Sequence, residues 1–141
     1  MINTKLTRKA MIIAYNAHMM QTDRANVPYI YHPIHLAEMM DTEEECIVAL
    51  LHDVVEDTDI TFEQLGEVFS EKIIDVLKLL THDKSVDYMD YIREIKKNEI
   101  AKKVKKADIM HNCDETRLDN ITEKDIIRRE KYRKALELLE N

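Results

Sequence analysis

Thr42-Glu43-Glu44-Glu45-Cys46-Ile47-Val48-Ala49-Leu50-Leu51-His52-Asp53-Val54-Val55-Glu56-Asp57 is the stretch whose pattern decides the fold. Thr42 with Glu45 three places on is a capping-box pair, and Cys46 to Leu51 would be apolar on most sides of a helix, as a central helix must be. If that helix continues, a rotation of about 100° per residue sets His52, Asp53, Glu56 and Asp57 on one side and turns Val54 and Val55 away. Three carboxylates and an imidazole then share a face that follows a buried run. Buried without partners they would be severely unfavourable, and a bound cation is the usual remedy. An exposed acidic helix end with an incidental histidine is the competing reading of this segment taken alone.

Outward from this stretch, apolar periodicity alternates with helix caps. Ala10, Ile13, Ala14 and Ala17 predict an amphipathic helix over residues 7–20. Asp23, Asn26 and Pro28 interrupt the pattern and predict a loop over residues 21–31, after which Pro33 opens a helix running to Met40. Cap candidates at Thr61 (with Gln64), Ser70, Ser85, Asn98 and Thr122 (with Asp125) bring the expectation to about eight helices. The single glycine, Gly66, and the two prolines are too few for a sheet with several hairpins, so the expected class is all-α. At 141 residues the expectation is one domain over 1–141.

Hydrophobic residues make up 45% and charged residues 35%, which implies a modest interior under a heavily solvated surface. A net charge of −7 repels a phosphate backbone and excludes general nucleic-acid binding. No run approaches the length of a membrane span, and residues 1–8 carry no leader pattern, so a cytoplasmic protein that does not engage membranes is expected. Cys46 and Cys113 stand apart and read as buried thiols in a reducing compartment. Lys102, Lys103, Lys105 and Lys106 form either a solvated helix face or a local site for phosphate, which an acidic protein needs if its substrate is anionic.

Two further places bear on the acidic face. His32 precedes Pro33 in Pro28-Tyr29-Ile30-Tyr31-His32-Pro33, where the backbone is held extended and the side chain can be aimed from a rigid turn. Asp108 and Asn112 lie one helical turn apart, and the neighbours Ala107 and Ile109 imply a partly buried setting. The other histidines read more plainly: His18 as structural, His35 and His82 as solvated, His111 as support for the helix of Asp108. The methionines read as core filler and surface scatter.

Pro28-Tyr29-Ile30 with His32-Pro33, then Ala49 to Thr58, then Val104-Lys105, Ala107-Asp108 and His111-Asn112, taken in this order, resemble the HD superfamily of metal-dependent phosphohydrolases. The likeness is closer to the hydrolase domains of RelA/SpoT-type alarmone enzymes and their small single-domain kin, and it runs from about His18 to Tyr132. The resemblance implies a compact multi-helix HD-domain fold that binds one divalent metal ion through His32, His52, Asp53 and Asp108. It implies that Glu56 and Asp57 position or deprotonate a water, and that Arg24, Lys105, Asn112, Arg128 and Tyr132 contact a small nucleotide. The implied reaction removes the 3′-pyrophosphate of guanosine tetra- or pentaphosphate. By ligand type the set suits manganese, iron or zinc, and the resemblance favours manganese. A phosphohydrolase for another nucleotide, and a non-catalytic metal- or nucleotide-binding protein, are the alternatives. Nothing in the pattern fixes an oligomeric state. One departure stands out: the alarmone hydrolases carry arginine then lysine before Pro-Tyr-Ile, where this chain has Asp23 and Arg24. An aspartate offers no flat guanidinium, so Arg24 swings across, the pocket takes a different nucleotide, or the loop is exposed and irrelevant.

Overall fold

The computed structural model describes residues 1–141, Glu115 by its backbone alone. Among the described residues the chain forms nine α-helices and one short 3-10 helix, and its only strand-like pairing is an isolated bridge between Thr22 and Pro28. The helices are α1 (Lys5–Ala17), α2 (Tyr31–Glu38), α3 (Glu43–Leu51), α4 (Val54–Asp57), α5 (Phe62–Gly66), α6 (Glu71–Leu80), α7 (Tyr88–Lys96), α8 (Glu99–Asn112) and α9 (Glu123–Glu140), with the 3-10 turn Glu115–Arg117 before α9. No helix is long and apolar enough to cross a membrane.

α3 is the hub. Cys46, Ile47, Val48, Ala49, Leu50 and Leu51 are all buried, and the helix packs on α1, α2, α6 and α8. Truncating a residue such as Leu50, fully enclosed, would cost about 2–5 kcal/mol. The hub therefore sits at a fixed height in the core, and whatever follows it in sequence is presented from a rigid base.

The caps explain most helix starts. Thr61 and Thr122 form reciprocal capping boxes with Gln64 and Asp125, and Ser70 and Asn98 each accept a hydrogen bond from an N3 backbone N–H. Thr4 forms a further box with Thr7, so α1 begins at Lys5, two residues before the start expected from the sequence, and it ends at Ala17 rather than at residue 20. Two caps differ from the expectation. Thr42 caps α3, but the Glu45 carboxylate accepts from the Asp41 N–H (2.9 Å) and pairs with Lys103 (2.8 Å) instead of closing the box. Ser85 caps nothing: its hydroxyl donates to Asp83, and Asp87 caps α7. Pro33 falls in the first turn of α2, which opens at Tyr31, where no intrahelical N–H is needed.

The larger correction concerns residues 52–57. The helix does not continue; α3 ends at Leu51, His52 and Asp53 form a turn, and α4 restarts at Val54. The His52 Nδ1–H donates to the Ala49 carbonyl (2.7 Å), the acceptor that residue 53 would bond in an unbroken helix. Val54 is consequently buried rather than turned away, while Glu56 and Asp57 reach the surface.

Candidate metal centre

Three elements converge on one point: α2 brings His32, the turn after α3 brings His52 and Asp53, and α8 brings Asp108. His32 Nε2 lies 2.9 Å from Asp108 Oδ1, and His52 Nε2 lies 3.0 Å from Asp53 Oδ2 and 3.6 Å from Asp108 Oδ1. Ligand-capable atoms of His32, His52 and Asp53 all lie within 4.8 Å of one another. Because His52 spends its Nδ1–H on Ala49, the neutral ring carries a lone pair on Nε2, and that nitrogen is buried without a well-aligned hydrogen-bond partner. A lone pair enclosed beside two carboxylates is an unfavourable arrangement that a divalent cation would resolve. The donor set, two imidazoles and two carboxylates, fits such an ion.

The charges around this point are strongly biased. Burial disfavours the charge on Asp108, yet Lys105 Nζ at 3.0 Å and the neighbouring His32 and His52 imidazoles outweigh it and hold the carboxyl well below the usual range. Lys105 is shifted well upward in return, its burial overcome chiefly by Asp108. Burial also opposes the His52 imidazolium, but Asp53 and Asp108 raise it well above an ordinary histidine, so a proton and a divalent cation would compete for the same nitrogen. The Tyr29 hydroxyl donates to Asp53, and the Asn112 amide donates to Asp108 Oδ1 (3.0 Å). Asp57 is pushed up to about 6 by burial and then by the charges of Asp53 and Glu56.

Asp53, Glu56 and Asp57 form a second cluster that opens outward from the first. Its two outer members differ. Glu56 Oε1 accepts the His82 backbone N–H (2.8 Å) and is tied to the loop after α6. The Asp57 carboxylate accepts no hydrogen bond among the described residues, while its backbone carbonyl accepts from Gln21 Nε2 (2.9 Å).

A cleft of about 480 Å³ lies beside the cluster, lined in part by Arg24, Tyr29, Asn112, Arg117, Arg128 and Tyr132. Sequence reasoning named Arg24, Asn112, Arg128 and Tyr132, and the fold brings them to one wall. Arg24, however, is ion-paired to the buried Asp125 in the first turn of α9 and does not swing toward Asp23. Arg128 makes no ion pair among the described residues. Lys105 is turned to Asp108, whereas Lys103 pairs with Asp41 and Glu45 and Lys106 with Glu140, so the four-lysine cluster is split between two faces.

Asp23 is not an idle surface charge. Its Oδ1 accepts the N–H groups of Ala25 (2.8 Å) and Val27 (3.0 Å), which fold the loop through Asn26 at φ 65°, and its Oδ2 pairs with Arg117 at 3.0 Å. A guanidinium therefore does stand at this position, brought by Arg117 from the 3-10 turn that follows α8. Tyr29, His111 and Arg117 are the residues that sequence reasoning gave no role in the site. Tyr29 and His111 sat inside the quoted motifs, but no local signal marked Arg117. His18 is buried as expected and donates its Nδ1–H to Gln21 (2.8 Å). His35 and His82 are less free than expected: His35 stacks on His111 at 4.1 Å, and His82 stacks on Tyr91 at 4.5 Å. Cys46 is buried, and Cys113 is half-buried rather than enclosed.

A family model described as HD domain matches residues 10–136. The chain belongs to the HD domain family. This HD domain is 38% identical over 101 residues to the guanosine-3′,5′-bis(diphosphate) 3′-pyrophosphohydrolase MESH1 of Danio rerio, a match covering 64% of the chain and 56% of that protein. It is 31% identical over 122 residues to the enzyme of the same name from Drosophila melanogaster, covering 78% of the chain and 68% of that protein. With the bifunctional (p)ppGpp synthase/hydrolase SpoT of Escherichia coli K12 it shares 37% identity over 78 residues, 52% of the chain but 11% of that much longer protein. The fold matches a solved structure described as a metazoan ortholog of SpoT that hydrolyzes ppGpp, with a TM-score of 0.78 and 24% identity over 99% of this chain and 88% of that one.

Proposed function

We propose that this HD domain is a metal-dependent phosphohydrolase that removes the 3′-pyrophosphate of guanosine tetra- or pentaphosphate. The observation that carries the reading is the buried, unpartnered His52 Nε2 converging with His32, Asp53 and Asp108 at the edge of a cleft edged by arginines. The names of its relatives support the substrate class.

His32, His52, Asp53 and Asp108 would hold one divalent ion, with manganese favoured. When bound, such an ion acidifies water and neutralises charge on a phosphoryl oxygen. Asp57, without a hydrogen bond to spend and raised to about 6, accepts the proton of the attacking water near neutral pH. Glu56 is anchored at the His82 amide and keeps that water in register. Lys105, Asn112, Arg128 and Tyr132, joined by Arg117, hold the nucleotide against the net charge of −7, while Arg24 holds the wall. Two cysteines held as thiols rather than a disulfide suit a reducing, cytoplasmic compartment, and the acidic surface suits a small nucleotide rather than a nucleic acid.

A second reading, hydrolysis of a different nucleotide, has one observation in its favour: the guanidinium near the Pro-Tyr-Ile loop comes from Arg117 and is already paired with Asp23. The test is pyrophosphate release from guanosine tetraphosphate and its adenine counterpart with manganese, alongside elemental analysis of wild type and Asp108→Ala. Release from the guanine substrate, with about one metal per chain that is lost in the variant, is the expected result. Absence of product from either nucleotide, or equal metal in both proteins, overturns the proposal.

A further inference from the structure

His111 touches a proposed metal ligand from behind. Its Nδ1 lies 2.7 Å from His32 Nδ1, and the two rings are nearly coplanar, 11° apart with centroids 5.0 Å apart. We propose that His111 is a positioning residue, which fixes the tautomer and plane of His32 so that His32 offers its Nε2 to the cation. The proposal rests on the metal-site reading above.

A hydrogen bond between two like nitrogens contains one proton, so one ring donates and the other accepts. The other nitrogen of His32, Nε2, faces Asp108 Oδ1 at 2.9 Å, inside the acceptor cluster. For that nitrogen to ligate it must carry a lone pair, and the proton of His32 must then sit on Nδ1. His111 Nδ1 is the acceptor that this tautomer requires, and its own proton goes to Nε2. His111 is half-buried and lines a second cavity of about 530 Å³, where solvent can serve that outer N–H.

His111 is itself held from two sides. Arg117 Nη1 donates to its backbone carbonyl (2.8 Å), and the His35 ring covers one face at 4.1 Å, 23° from parallel. A ring clamped this way is a rigid acceptor rather than a wandering one, and a partner of this kind orients a metal-bound imidazole and raises its basicity. It also completes a division of labour on α8: Asp108 joins the cluster, Asn112 one turn on bonds Asp108, and His111 between them bonds His32. His111 is not placed as a ligand, since the nitrogen it turns toward the cluster is spent on His32 Nδ1.

The test compares His111→Asn with His111→Leu. These side chains have nearly the same shape, but only asparagine keeps an acceptor close to the place of Nδ1. Metal-free wild type, both variants and Asp108→Ala are titrated with manganese, and thermal unfolding of each metal-free protein is recorded. The leucine variant should bind manganese about 10- to 100-fold more weakly than wild type, the asparagine variant should recover most of that loss, and the metal-free proteins should unfold alike. Equal affinities in both variants, whether both unchanged or both weakened, overturn the inference, because the acceptor then has no role. Wild type that binds no manganese, or no better than Asp108→Ala, instead overturns the metal-site reading on which it rests.

Discussion

The floor of the cleft and its outer wall are built by opposite means. The floor is carried on the most enclosed part of the molecule: His52 and Asp53 follow directly on α3, and Asp108 sits among buried residues of α8. The wall is tied together by charge across long stretches of chain, Arg24 to Asp125 over 101 residues and Asp23 to Arg117 over 94. The Arg24 and Arg117 side chains remain 41% and 27% exposed, so salt screens these pairs, whereas it scarcely reaches the floor. Metal binding should therefore survive damage to the wall, and substrate affinity should not.

The largest effect should come from the floor without any loss of metal. Asp57→Asn and Glu56→Gln are expected to keep the ion, by elemental analysis, yet lower kcat by about 10²- to 10⁴-fold. The structure sharpens the pair, because Glu56 is tied to the His82 amide and Asp57 is not. Asp57→Asn should fall at the severe end and Glu56→Gln at the mild end. Unchanged turnover in both would remove them from the mechanism, and lost metal in either would make that residue a ligand.

A smaller effect should come from the wall. Asp23→Ala removes the acceptor of two backbone N–H groups and of Arg117, which should cost about 1–3 kcal/mol of stability and raise KM several-fold, with metal content unchanged. Asp23→Arg should behave no better, since it places a second guanidinium against Arg117 where a carboxylate is needed. A gain in guanine affinity from Asp23→Arg would show that the loop reads the base directly and that Arg117 is dispensable.

The same contrast explains what the sequence disclosed. His52, Asp53, Glu56 and Asp57 lie within six positions, so helical spacing alone suggested a shared face, even though the helix in fact breaks at His52. The break escaped prediction because its cause, a side chain taking the Ala49 carbonyl, leaves no mark in the apolar periodicity. Caps at Thr61, Ser70, Asn98 and Thr122 were legible for the same local reason. His32 and Asp108 were brought in by resemblance, since nothing local says that residues 76 positions apart meet. Arg117 and the Arg24–Asp125 pair were illegible because a surface arginine in a chain that is 35% charged carries no signal until the fold supplies its partner.

The smallest effect separates floor from wall by the sign of a pH dependence in metal-free protein. Asp57 is pushed up to about 6 by burial and by Asp53 and Glu56, so its charged form is less favourable folded than unfolded. That penalty is absent below about pH 4, where the carboxyl is protonated in both states, grows as pH rises, and is fully present above about 6. Asp23 runs the other way: burial works against its charge, but the N–H groups of Val27 and Ala25 and the Arg117 guanidinium outweigh that and hold it below the usual value. Its contribution is present above about pH 4 and is lost as pH falls through the lowered value. Melting temperatures at about pH 4 and pH 7.5 should therefore move in opposite directions from wild type. Asp57→Asn should be the more stable protein at pH 7.5, with its advantage vanishing at pH 4, and Asp23→Asn the less stable one at pH 7.5, with its deficit shrinking in acid. Because both groups are partly solvated, shifts of only a few degrees are expected. Adding manganese should erase the Asp57→Asn advantage, since the cation compensates that carboxylate, and should leave the Asp23→Asn deficit in place. Equal and parallel shifts for the two variants would mean that floor and wall respond as one electrostatic unit, and the division between them would fail.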